Sequence, residues 1–162
     1  MFCESLRWTP ESGWSTPFPT VPPAQVQLVL AFGPARAPEA AWFTDVAARW
    51  PLARVVYVSA GGQIESGAVL DAAVAVTAIG FRKGQVRVMQ AANAGRRPGE
   101  EVGAELGVAL AAHPGLTHAL VFSDGLHVNG AALTRGLGRS LPAGVTVSGG
   151  LASDGLAFEA TG

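Results

Sequence analysis

The chain has 162 residues, a formal net charge of −1 and a single cysteine. This length suits one domain with a real hydrophobic core. Charged residues make up only 14% of the chain and hydrophobic residues 49%, whereas charged residues are roughly 25% of an average globular protein. Much of the surface is therefore expected to be covered by a partner or by another domain.

Charge, cysteine content and hydropathy exclude several classes of protein. Lys83 is the only lysine and the arginines are scattered, which argues against nucleic acid and anionic membranes as partners. Cys3 alone supports neither a disulfide framework nor a cysteine metal site, and a reducing compartment fits. Apolar runs such as 28–32 are far shorter than the roughly 20 residues that span a bilayer, and no signal-peptide pattern is present. We predict a cytoplasmic, soluble protein.

Residues 1–25 contain five prolines together with Trp8, Trp14 and Phe18. Proline blocks helix formation, while the aromatic side chains offer large apolar surfaces. We predict an extended arm that packs on the domain through its aromatic residues. A disordered leader is the alternative, although disordered segments are usually poor in aromatic residues.

The first half of the domain predicts strands more often than helices. Residues 26–32 form an apolar run typical of a buried strand, 38–50 have helical spacing, and 54–58 form a second strand. This βαβ arrangement favours a parallel strand pair. Residues 69–81 and 86–90 are two β-leaning runs joined by Arg82-Lys83-Gly84, which predicts a central hairpin.

The second half alternates helices with strands. Three glutamates near the start of 98–112 favour a helix there. A strand at 117–122, a helix at 129–140 capped by Asn129, and a strand at 144–147 follow. The order β-α-β-β-β-α-β-α-β predicts an α/β fold with a mixed sheet and flanking helices, forming a single domain over residues 26–162.

Small and polar residues follow three of these strands, in the loops 57–63, 123–130 and 147–155. Ligands of α/β proteins bind where strands end, so these loops are the candidate site. The candidate ligand-binding residues are Ser59, Gly61, Gly62, Ser123, Asp124, Asn129, Gly149, Gly150 and Asp154.

Each candidate also has a purely structural interpretation. Asp124 either binds an ammonium group or acts as a base, or else it closes an Asx turn before Gly125. Asn129 is most economically a helix cap, although the helix start it caps also favours a carboxylate. The glycine pairs at 61–62 and 149–150 permit close approach of a ligand, yet they are also ordinary turn residues.

Several kinds of chemistry have no support. No dinucleotide fingerprint and no P-loop follows a strand. Ser123, Asp124 and His127 lie within one five-residue loop, where a catalytic triad is rarely aligned, and the nucleophile elbow is absent. The three histidines match no metal-ligand spacing. We therefore predict no catalytic residue, no metal and no cofactor.

Four segments, taken in order, resemble the N-terminal region of FIST domains, named for F-box and intracellular signal transduction proteins. They are Gln27-Leu-Val-Leu-Ala-Phe-Gly33, Val56-Tyr-Val-Ser-Ala-Gly-Gly-Gln-Ile64, Phe122-Ser-Asp-Gly-Leu-His-Val-Asn-Gly130 with Arg135-Gly-Leu137, and Gly149-Gly-Leu-Ala-Ser-Asp154. The resemblance implies a bacterial-type sensory module that binds small ligands such as amino acids and is often attached to signalling output domains.

The chain departs from this family at two places. Where the family usually reads Gly-Cys-Ser-Thr-x-Gly-Glu-Ile, Val58, Ala60 and Gln63 replace the thiol, the threonine hydroxyl and the carboxylate, so functions that need those groups are in question. Family members also normally continue beyond 158–162 into further strands and a C-terminal region. The resemblance thus implies a domain truncated at its C-terminal end, or a sheet edge covered by something else.

These observations predict a small-molecule-binding sensory domain without catalysis. For an amino acid, Asp124 or Asp154 would take the ammonium group, and the helix start at Asn129 would favour the carboxylate. One alternative is a hydrolase or transferase that uses Ser123 or Asp124. Another is a structural half-domain that pairs with a FIST C-terminal domain or with a second copy of itself, which the low charge content supports.

Overall fold

The computed structural model describes residues 1–17, 22–35, 41–65, 68–70, 72–92, 97–155, 157 and 159. The chain divides into two compact units. The first, residues 1–87 with 153–162, is called here the five-stranded unit, and the second, residues 88–152, the two-helix unit.

The five-stranded unit is named for its main sheet. It contains seven described strands in all, five in that sheet and two in a separate pair, and one described α-helix. They are β1 (Phe2–Thr9), β2 (Gly13–Trp14), β3 (Leu28–Gly33), α1 (Ala41–Arg49), β4 (Arg54–Ser59), β5 (Gln63–Glu65), β6 (Ala68–Leu70) and β7 (Val74–Gly80). The main sheet has the order β2-β1-β7-β3-β4, and β5 and β6 form a separate antiparallel pair. Strands β3 and β4 are parallel, with α1 between them in the chain, which confirms the predicted βαβ unit.

Alternation along the strands builds the core of this unit. Val74, Val76 and Ala78 on β7 are buried, while the residues between them are partly exposed. The buried face packs with Trp42 and Val46 of α1. A period of two on the strand and of four on the helix therefore places both apolar faces in one cluster.

The N-terminal segment adds a strand to the main sheet. Strand β1 pairs antiparallel with β7 over seven residues, from Phe2 opposite Gly80 to Trp8 opposite Val74. Phe2, Trp8 and Trp14 pack against the core, as the aromatic content predicts. The Trp14 Nε1 group also donates a hydrogen bond to Asp45 Oδ2 at 2.9 Å. Phe18 lies outside the described residues.

The predicted α/β class with a mixed sheet is confirmed, but the predicted hairpin between 69–81 and 86–90 is wrong. Residues 86–90 form no strand. Both edges of β7 are already paired, one with β1 and the other with β3, so no edge remains for a following strand. The short hairpin of this region is instead formed by β5 and β6.

The two-helix unit contains α2 (Gly99–Ala111), β8 (His118–Asp124), α3 (Gly130–Ser140) and β9 (Thr146–Ala152). Strands β8 and β9 are parallel, with His118 opposite Thr146 and Asp124 opposite Ala152. Val102, Val128, Leu133 and Leu137 form the core of this unit. Strand β9 is longer than the predicted 144–147, so Gly149 and Gly150 lie within a strand and not in a loop.

Glycines allow the two helices to approach closely. A Cβ atom at Gly103 of α2 would lie 2.1 Å from the Leu133 carbonyl oxygen of α3, and one at Gly136 of α3 would lie 2.1 Å from the Glu100 carbonyl oxygen. Glu100 also forms ion pairs with Arg135 and Arg139 on α3. Backbone contact and charge pairing therefore join the same two helix faces. Among the described residues, no helix is both long and apolar enough to cross a membrane.

Candidate functional site

The structure divides the nine candidate residues between the two units. Ser59, Gly61, Gly62 and Asp154 belong to the five-stranded unit, and Ser123, Asp124, Asn129, Gly149 and Gly150 belong to the two-helix unit.

In the two-helix unit, three of the five candidates line a depression of about 410 Å³, called here the β9 depression. Ser123, Gly149 and Gly150 contribute to its wall. The other lining residues come from β8, β9 and the first half of α3: Val121, Gly130, Ala131, Leu133, Thr134, Val147, Ser148 and Leu151. No charged side chain is among them, so the depression suits the apolar part of a small molecule.

Three hydroxyl-bearing residues, Ser123, Thr134 and Ser148, line the β9 depression, and a helix starts beside it. Ser123 Oγ makes only a long contact of 3.4 Å with the Asp124 carbonyl oxygen. The Thr134 hydroxyl donates within its own helix, to the Gly130 and Ala131 carbonyl oxygens at 2.9 and 3.1 Å. Helix α3 begins at Gly130, and the amide groups of a helix start favour an anion.

Asp124 is not among the lining residues, and its carboxylate is engaged within its own loop. Oδ1 accepts from the amides of Leu126 and His127 at 2.7 and 3.3 Å, and Oδ2 lies 2.8 Å from His127 Nδ1. The first of these bonds closes an Asx turn. Ligand binding by Asp124 stays a prediction, because these contacts give its carboxylate a structural function in the described state.

Asn129 caps α3, as predicted, since its Oδ1 accepts from the Ala132 amide at 3.0 Å. Gly149 has a φ of 152°, and a Cβ atom there would lie 1.7 Å from the carbonyl oxygen of Val121, its partner on β8. Glycine at this position therefore permits the pairing of β8 with β9. Gly150 differs, since a Cβ atom there would meet nothing within 4 Å.

In the five-stranded unit, the loop after β4 contacts the segment that follows residue 152. Ser59 is 1% exposed, and its carbonyl oxygen accepts from the Ser153 amide at 2.9 Å. A Cβ atom at Gly61 would lie 3.1 Å from Gly155 Cα. Gly62 has φ of 148°, a conformation that requires glycine. The close approach expected of this glycine pair is thus made by the protein's own backbone.

Gln63 stands where the resemblance implies a glutamate. Its side chain is buried, and one terminal atom of its amide group lies 2.7 and 2.8 Å from the carbonyl oxygens of Leu70 and Ala73. Because both neighbours are acceptors, we assign that atom as the amide nitrogen, which donates to them. A carboxylate between two carbonyl oxygens would have to be protonated, whereas an amide donates while neutral.

Asp154 accepts through Oδ2 from the Glu159 amide.

Sequence reasoning missed the contributions of Thr134, Val147 and Leu151 to the β9 depression. The alternation of Val147, Gly149 and Leu151 on one strand face was the signal that could have identified two of them. It also missed the contact of 2.8 Å between His118 Nε2 and Ser148 Oγ, which joins β8 and β9. Among the described residues, no three His, Cys, Asp or Glu side chains are grouped closely enough to hold a metal ion.

Comparison of the chain with known proteins identifies a family but no individual relative. The family profile described as the FIST N domain matches residues 27–162, and this confirms the resemblance that the four segments carry. No curated protein and no solved structure matches the chain.

Proposed function

The chain belongs to the FIST N domain family, a signal-transduction-associated domain, and from this premise we propose that it binds a small metabolite in the β9 depression as a sensory input. The volume of about 410 Å³ lies within the range of roughly 300–1,000 Å³ found for small-molecule sites. The single observation that carries the proposal is that three of the candidate ligand-binding residues, Ser123, Gly149 and Gly150, line this depression.

The lining favours a small amphipathic carboxylate, such as an amino acid with an apolar side chain. Val121, Val147 and Leu151 offer apolar contact, and the start of α3 favours the carboxylate. Asp124 follows Ser123 at the end of β8 and is the proposed partner of an ammonium group, at the cost of its contact with His127. Contacts from Ser59, Gly61, Gly62 and Asp154 stay predictions.

Binding without catalysis is part of the proposal. Ser123 Oγ contacts a backbone carbonyl oxygen at 3.4 Å, while the imidazole of His127 contacts Asp124. This arrangement does not supply the hydrogen bond between nucleophile and base on which a serine hydrolase depends. A cytoplasmic location is likewise proposed, supported by the lone cysteine.

The test is a thermal-shift and NMR titration with leucine, valine and the 2-oxo acid analogue of leucine. We expect leucine to shift amide resonances of 121–134 and 147–151 and to raise the melting temperature. Ala131 is exposed and lines the depression, so Ala131→Trp should fill the space and remove binding. Val108 on α2 is 65% exposed, and Val108→Trp is the matched control that should bind normally.

Two results would contradict this proposal. One is the absence of a saturable shift with any of the three compounds. The other is equal affinity in the parent chain and in Ala131→Trp. Equal affinity for leucine and its 2-oxo acid would be consistent with the proposed site but would show that Asp124 does not bind the ammonium group.

A second candidate function is pairing with another FIST region or with a second copy. Six of the seven residues of β9 are exposed, and no charged residue lies between Arg139 and Asp154. Natural edge strands are usually protected by charge or proline. Sedimentation should show concentration-dependent association that Ser148→Lys weakens, and a monomer at high concentration would contradict self-association.

A further inference from the structure

The five-stranded unit has a larger cavity of about 590 Å³, which shares no lining residue with the β9 depression. It lies where β7 ends, next to the 3-10 turn at 23–25. Its lining includes Phe2, Ala24, Gln25, Gln27, Phe81 and Arg82. All of them belong to one unit.

The aromatic part of the wall is held in place by backbone contacts. A Cβ atom at Gly80 would lie 2.0 Å from the Phe2 ring, so the absent side chain leaves the space that this ring occupies. The Gln27 side-chain amide holds the backbone of Phe81. Its Oε1 accepts from the Phe81 amide at 2.6 Å, and its Nε2 donates to the Phe81 carbonyl oxygen at 3.2 Å. Phe2 and Phe81 therefore line the cavity, the first with its ring packed against Gly80 and the second with its backbone held by Gln27.

The polar part of the wall is cationic and rich in donors. Arg82 is exposed at the cavity, and among the described residues no carboxylate pairs with it. No acidic residue lines the cavity, whereas Gln25 and Gln27 do, and the Gln27 side-chain amide is already bonded to the Phe81 backbone. A guanidinium group presents donors in a planar fork that matches a carboxylate.

We propose that this cavity binds a small organic anion with a flat apolar body, most simply an aromatic carboxylate. The rings take the apolar body and the Arg82 guanidinium takes the carboxylate at the rim. The proposal is independent of the β9 depression, because different residues and a different unit carry it.

The experiment is an NMR titration of the 162-residue chain with 2-naphthoate, and with 2-naphthylmethanol as the neutral isostere. We expect saturable shifts confined to the amides of 24–27 and 81–83. Arg82→Gln should weaken 2-naphthoate binding by about three- to tenfold, the range for a partly exposed charge-assisted contact, and leave binding of the alcohol unchanged. Lys83→Gln alters the neighbouring cation, which is not a lining residue, and should change the affinity by less than about twofold in physiological salt.

A second variant tests the cavity without involving charge. Ala24 is exposed and lines the cavity, so Ala24→Trp should fill it and abolish binding of both compounds while the spectrum keeps its folded dispersion. The proposal is overturned if 2-naphthoate produces no saturable shift, if the shifts fall at 121–134 and 147–151, or if Arg82→Gln binds 2-naphthoate as tightly as the parent.

Discussion

Replacing Gly136 by alanine tests whether backbone contact between α2 and α3 holds the two-helix unit together. A Cβ atom at this position would lie 2.1 Å from the Glu100 carbonyl oxygen and 2.7 Å from the Ala104 nitrogen. Ordinary contact begins at 3.4 Å, so the helices would have to separate locally by about 1.3 Å. Both contact atoms belong to the backbone of α2, so no side-chain rotation relieves the clash.

The cost follows from two opposing effects. Overpacking of a core costs about 1–3 kcal/mol, and the upper end applies where rigid backbone is displaced. Replacing glycine by alanine within a helix returns about 1 kcal/mol. We therefore expect Gly136→Ala to lower the free energy of unfolding by about 2 kcal/mol, and the melting temperature by roughly 4–8 °C for a protein of this size.

Gly138 provides a matched control two residues further along α3. A Cβ atom there meets nothing within 4 Å, so Gly138→Ala carries the helix-propensity gain alone, at most about 1 kcal/mol. Urea denaturation followed by far-ultraviolet circular dichroism measures both variants against the parent. If Gly136→Ala is as stable as Gly138→Ala, the helices are not held in backbone contact and the reasoning fails.

Three further predictions concern other contacts. Burial raises the pKa of Tyr57 from 10.0 to about 12, and Tyr57 is the only tyrosine, so tyrosinate absorbance should titrate near 12 in the folded chain and near 10 in urea. Because the folded pKa is the higher one, this group's contribution to stability is complete below about pH 10 and is lost as the pH rises towards 12; a folded midpoint near 10 would contradict it. Asn129→Ala removes the cap bond to Ala132 and should cost about 1 kcal/mol in urea denaturation, while Asn129→Asp keeps an acceptor and should cost little; equal loss in both would exclude capping as the cause. Gly149→Ala should destabilise β9 strongly, since its Cβ would lie 1.7 Å from a carbonyl oxygen of β8, whereas Gly150→Ala should be tolerated. Amide hydrogen exchange in β8 and β9 measures the effect of each variant. Equal protection in the two variants would refute the assigned contacts.

Prediction from the sequence succeeded where the determining contacts are local. The apolar run before Gly33 and the helical spacing that follows predict the βαβ unit, and Asn129 predicts its own helix cap. The Asx turn at Asp124 was one of two interpretations of that residue, and the turn is observed. In each case the residues that determine the outcome lie within a few positions of one another.

Prediction failed where the determining contact is distant in sequence. Residues 86–90 have β-forming composition, but β1 and β3 occupy the two edges of β7, so neither is left for a hairpin. The glycines of the 147–155 segment indicated a loop, yet Gly149 extends a strand because its missing side chain admits the Val121 carbonyl oxygen. Strand partners far along the chain are not encoded in local composition.

The sequence by itself determined the α/β class, the family and two of the strand ends at which candidate residues stand, those of β4 and β8, because these depend on periodicity and short motifs. Only the tertiary structure decided which candidates line a cavity. It placed Ser123 in the β9 depression and engaged Asp124 with its own loop. It also showed that the Gly61–Gly62 loop is approached by residues 153–155 of the same chain. The sequence does not reveal whether a glycine or a carboxylate contacts a ligand or the protein's own backbone, because that depends on which distant residues pack against it.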